Sequence, residues 1–326
     1  MIGEILNPYY LQVASFVMIN IILGISIYIT LSSGQLSLGN AGFMGIGAYT
    51  SALLTIHLGA PIIVGIIAGA LVAGILGILI GIPALRLSGV YLAIATLGFG
   101  EVIRVIFVNW ESVTKGSIGL AGVPHLGREL FNAISGMGFD PDMLGLKNNQ
   151  VIYLLVLLLL LVINIFLIWF FIRQNKSRVG RAFAAIKMDE KAAESMGINI
   201  TYYKVLSFTQ GAILAGFAGA IYAHVMGYVS PADFAYHRAI EILIFSVFGG
   251  SEVIWGAIFG ATFMTILPEA LRFMSEYRYM IYGTILVLMM AFRPQGIIDF
   301  SVLQWFKKGR KSKRGTDNGT GIEKNQ

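Results

Sequence analysis

Runs of about twenty apolar residues recur along this chain, and each is long enough to cross the hydrocarbon core of a bilayer as one helix. The runs are Tyr10–Leu31, Leu36–His57, Pro61–Gly81, Val90–Val108, Val151–Ile172, Val205–Met226, Ile254–Leu271 and a shorter Tyr279–Phe292. A ninth, Ala239–Phe248, is too short to cross unaided and reads as a half-helix or re-entrant segment joined to its neighbour through Gly249-Gly250. The fold predicted is an all-α polytopic membrane bundle of about 8–10 helices, short or broken segments included. Composition agrees: charged residues are 12% and hydrophobic ones 56% of the chain, where a soluble domain carries about a quarter charged.

Lysine and arginine set the orientation. Loop 173–204 holds Arg173, Lys176, Arg178, Arg181, Lys187, Lys191 and Lys204, and the tail is basic from Arg293 through Lys307, Lys308, Arg310, Lys311, Lys313 and Arg314 to Lys324. Both are expected on the cytoplasmic side. Loop 109–150, with only Lys115, Arg128 and Lys147 against four acids, is expected outside, and counting back puts the N-terminus outside as well. Residues 1–306 form the expected membrane domain, and 307–326 read as a disordered basic tail drawn to anionic lipid. Basic charge confined to loops and tail reports topology and does not suggest nucleic acid. Glu4 precedes the first run with no basic lead, so a cleavable signal peptide is not expected.

No enzyme signature emerges. The chain lacks G-x-x-x-x-G-K-[ST] and H-E-x-x-H, has no cysteine, and scatters its four histidines, so neither a metal nor another cofactor is expected in it. Gly65, Gly69, Ala73, Gly77 and Gly81 place a small residue every fourth position on one helix face, which lets another backbone approach. Static packing and a sliding interface both fit that stripe. Glu101 with Arg104, Arg238 with Glu241, and Glu269 with Arg272 are i,i+3 pairs that meet on one face. Near span ends they read as anchors, and at depth as a solute path or gate. Asn20, Gln35, Asn40, Thr96 and Gln210 read mainly as interhelical hydrogen bonds. Gln35, Asn40, Thr96, Glu101, Arg104 and Glu241 are the candidate path or gate residues.

The segment Gly180–Lys204, GRAFAAIKMDEKAAESMGINITYYK, interrupts the apolar pattern with a short helix stopped by Gly197. It resembles the coupling loop of bacterial ABC-importer permeases, with Lys191 where that motif usually begins with glutamate. GQLSLGNAGFMGIGAY (34–49), RLSGVYLAIATLGFGEVIR (86–104), GFAGAIYAHVMGYVSP (216–231), LPE (267–269) and FRPQGI (292–297) are similar, in order, to the branched-chain amino-acid permease family. The external TKGSIGLAGVP (114–124) resembles its LivM-type branch, with Lys115 replacing a glycine. GGSEV (249–253) departs from the usual GGLGS by adding Glu252.

The resemblance implies a permease that imports leucine, isoleucine or valine by alternating access, with urea, short amides or other neutral amino acids as alternatives. It implies pairing with a LivH-like permease, two separate ATP-binding subunits and an external solute-binding protein. Arg181, Asp189, Glu190, Ala192, Ala193 and Gly197 would form the coupling helix.

Overall fold

A computed structural model describes residues 7–84, 86–136 and 148–274, with scattered positions from 277 to 296. The expected last span, Tyr279–Phe292, lies largely outside the described residues. So do Lys147, most of FRPQGI and the basic tail.

Among the described residues, five helices are long and apolar enough to cross a membrane: α1 (Pro8–Ser32), α3 (Ile62–Ala84), α4 (Val90–Asn109), α6 (Asn148–Asn175) and α9 (Ile200–Met226). Packed among them are three shorter apolar helices: α2 (Asn40–His57), α10 (Tyr236–Gly249) and α11 (Ile254–Ala270). The all-α polytopic bundle is therefore what forms, short segments included. The smaller helices α5 (Leu126–Ser135), α7 (Arg178–Met188) and α8 (Glu190–Ser195) lie in the connections.

Helices α1 and α9 form the centre, with 78% and 67% of their apolar windows buried. Only 22% is buried in α4 and α6, so these are the outer helices. On α6, Leu158, Val162, Ile165, Phe166 and Trp169 are exposed, an apolar face suited to lipid.

The small-residue stripe of α3 lies against α2 and α9. A Cβ on Gly69 would meet the Gly47 carbonyl oxygen at 2.6 Å, and one on Gly77 would meet Ala212 Cβ at 2.6 Å. Beside Gly65 is Ser51 and beside Gly81 is Phe208, while Ala73 is fully buried against Gly216. Backbones this close exclude even a methyl group, so the stripe acts as a packing seam.

Four sequence expectations change in detail. Helix α2 starts at Asn40 and not at Leu36. Gly34 is left-handed (φ 78), and the backbone N–H groups of Leu38 and Gly39 donate to the side chains of Thr96 and Ser37, which satisfies a non-helical segment. Loop 173–204 narrows to 176–199, because α6 runs on to Asn175 and α9 begins at Ile200. Its helical part is broken in two at Asp189, which is extended (φ −157, ψ 113) and caps α8. Loop 109–150 is partly structured: its β1 (Leu120–Ala121) pairs antiparallel with β2 (Tyr228–Val229).

Candidate functional site

Two regions of the bundle combine charge with burial. One is the end formed by α7, α8 and the 33–39 segment. Asp189 Oδ1 accepts from the N–H groups of Lys191 and Ala192 at 2.9 and 3.1 Å, which satisfies the first turn of α8. Gly197, left-handed at φ 80, ends the turn as its N–H reaches Glu194 O and that of Ile198 reaches Ala193 O. The helix thus presents Lys191, Ala192 and Glu194 outward and buries only Ala193.

From α8 a bonded route leads inward. Glu190 accepts from Lys204 Nζ at 2.6 Å, and that lysine side chain is only 10% exposed. The Lys204 carbonyl accepts from Gln35 Nε2 at 3.0 Å, and Gln35 also donates to Ser33 and Ser207. Gly34 lies against Lys187 of α7, where a Cβ would come within 3.3 Å of the lysine Cα. From the same segment Asn40 donates to Ser26 at 2.6 Å, and Leu38 N–H to Thr96 at 2.9 Å. Gln35, Asn40 and Thr96 therefore join neighbouring helices. Arg181 points away from this route and donates to the Lys176 carbonyl. Glu252 lines a cavity of about 740 Å³ with Lys176 and Lys187, so its added charge faces two of opposite sign.

The second region is toward the other end. All three i,i+3 pairs form: Glu101–Arg104 at 2.7 Å, Arg238–Glu241 at 2.5 Å and Glu269–Arg272 at 3.5 Å. The second oxygen of Glu101 accepts from Tyr236 N–H at 2.7 Å, the first N–H of α10. Helix α10 has no side-chain cap of its own, so a carboxylate of α4 supplies one across the bundle. Glu101 lies eight residues from the end of α4, about 12 Å along the axis. Helix α10 therefore begins level with Glu101, about 12 Å short of the end of α4, and its 14 residues reach about 21 Å.

Arg238 also donates to Asn20 Oδ1 at 2.6 Å, and Asn20 donates to Thr265 at 2.9 Å. These groups border a cavity of about 340 Å³ that includes Tyr222, Asp233, His237 and Glu269. The sequence marked Asn20 and the Arg238–Glu241 pair separately, since no local spacing joins residues 218 positions apart. Asp233 and His237 carried no signal at all. The connecting segments are also pinned: His125 Nδ1 accepts from Gly127 N–H at 3.2 Å and caps α5. Burial, helped by Arg128, lowers the His125 pKa from its ordinary value, favouring the neutral ring that accepts this bond.

No group of three or more His, Cys, Asp or Glu residues placed to hold a metal occurs among the described residues.

A bundle of membrane-crossing helices, with a charged cleft and an exposed helix at one end, defines a polytopic membrane protein. The family described as branched-chain amino acid transport system / permease component matches residues 9–290, and the chain belongs to it. It is 36% identical over 312 residues to the high-affinity branched-chain amino acid transport permease LivM of Salmonella typhimurium, covering 93% of this chain and 73% of that protein. It is 37% identical over 297 residues to LivM of Escherichia coli K12, covering 88% and 69%. The LivH permease of S. typhimurium is 27% identical over 199 residues, covering 60% of this chain and 61% of LivH. No solved structure matches the chain significantly.

Proposed function

We propose that this chain is one of two paralogous permease subunits in an ATP-driven importer of branched-chain amino acids. A LivH-like permease sits beside it in the bacterial inner membrane. Two ATP-binding subunits dock on the cytoplasmic segment 176–199, and an external solute-binding protein delivers the solute to the side bearing 109–150. Residues 1–306 form the membrane domain. The observation that carries the reading is the route from α8 through Glu190, Lys204 and Gln35 into the bundle.

Helix α8 is capped at both ends and exposed on its outer face, which makes it a rigid handle for a moving cleft. Coupling requires that a partner's contacts differ between two states. Displacement of α8 would act on Lys204 and α9 directly and, through Gln35, on the junction of α1 and α2. Asn40 and Thr96 would extend it to α1 and α4. The relatives' transport of branched-chain amino acids supports that solute class for this chain.

Uptake of labelled leucine in a strain lacking the gene tests the substrate. Restoring the gene is expected to restore uptake, with excess valine blocking it and urea not. Leucine uptake that does not depend on the gene, in a strain with no second leucine system, would redirect the reading to urea or amides.

A further inference from the structure

The cavity beside α10 carries more charge than packing requires. Arg238, with its side chain 16% exposed, is held between Glu241 and Asn20. A guanidinium has five N–H donors, and the described residues engage two of them. Glu241 uses one carboxylate oxygen on Arg238 and stays 38% exposed. Charge at membrane depth is costly and is retained where it serves a path. The α10 N-terminus does not depend on this pair, because Glu101 of α4 already anchors it.

The surrounding backbone is unusual as well. Helix α9 stops at Gly227 (φ 72), and the chain runs through β2 and a 3₁₀ turn at Pro231–Phe234 before α10 starts level with Glu101 of α4. Irregular backbone at depth is stable where it is buried in protein or lines a cavity, and broken helices form solute sites in transporters. The opposite wall is apolar, with Val13 and Phe16 of α1. The volume, about 340 Å³, falls in the range of small-molecule sites.

We propose that this cavity is a solute subsite for a zwitterionic α-amino acid. Arg238 binds its carboxylate, Glu241 its ammonium, and Val13 and Phe16 receive its apolar side chain. The inference rests on the amino-acid reading above and adds the groups that recognise the head. The bound zwitterion replaces the Arg238–Glu241 contact with two contacts of the same charge sense, so the net charge of the site does not change. A solute without both charges leaves that ion pair uncompensated if it separates the partners.

The chain has no cysteine, so Val13→Cys puts a lone thiol of this subunit in the cavity wall and keeps every polar contact. The complete importer, with partner permease, ATPases and binding protein, is reconstituted in proteoliposomes and treated with a water-soluble methanethiosulfonate. Modification is expected to block leucine uptake relative to treated wild type, and leucine, not urea, is expected to protect the thiol. Arg238→Gln and Glu241→Gln are each expected to lower uptake about tenfold, the scale of one charge-assisted hydrogen bond. Leucine uptake untouched by the modified thiol, or wild-type uptake in both charge variants, overturns the subsite and leaves the amino-acid reading standing. Protection by urea and not by leucine, with urea as the transported solute, overturns both.

Discussion

Lys204 is one of seven basic residues in loop 173–204, where positive charge ordinarily reports sidedness. The fold gives it a second role: its ammonium is enclosed and its described acidic partner is Glu190 of α8. Removing one member of an enclosed pair leaves a charge without compensation, whereas removing both is far milder. Glu190 is half exposed, which screens the pair. Glu190→Gln is therefore expected to cost about 1 kcal/mol, below the roughly 3–5 kcal/mol of a fully buried pair. Thermal unfolding in detergent should show Glu190→Gln melting lower than wild type, with Lys204→Met added to it recovering most of the loss. A double variant no more stable than the single one would show that the pair is not what holds α8 to α9.

Among the elements, periodic small residues were readable in advance and their partners were not. The four-residue spacing along α3 exposes a close-packing face, but only the folded chain places Gly47, Ala212 and Gly216 opposite it. Ala215 and Gly219 of α9 have the same four-residue spacing. A Cβ on Gly219 would stand 1.9 Å from the Met44 carbonyl oxygen, whereas one on Gly98 of α4 meets nothing within 4 Å. Gly219→Ala is expected to destabilise by about 1–3 kcal/mol through overpacking. Gly98→Ala should stabilise by up to about 1 kcal/mol through helix propensity. Opposite shifts in unfolding temperature check the pair of predictions, and equal shifts would deny the seam. Long apolar runs located their helices to within a few residues because crossing length is a strong constraint. The 33–39 segment broke that rule because side chains of Thr96 and Ser37 satisfy its N–H groups, a long-range and a local bond that hydropathy does not register. The cap that Glu101 gives α10 and the Asn20–Arg238 contact were hidden for the same reason: each joins residues more than a hundred positions apart.

At the scale of the whole molecule, the handle and the cavity lie toward opposite ends, with α9 running between them. Lys204 is in its first turns, and Tyr222, beside the cavity, is near its last. A displacement at α8 therefore bears on a central helix that also borders the proposed solute subsite, which is the arrangement alternating access requires. Gly197 tests the connection. Its φ of 80 is one that L side chains rarely adopt, yet a Cβ there meets nothing within 4 Å. Gly197→Val thus strains only the end of α8, by about 1–2 kcal/mol, and sets a branched side chain on the face proposed to meet the ATPase. The variant should insert and assemble normally. In the reconstituted importer it is expected to lose most leucine uptake while ATP hydrolysis continues, because the handle no longer transmits the cleft's movement. Uptake at the wild-type rate would remove α8 from the coupling route, and the bundle would then have to be driven from another surface.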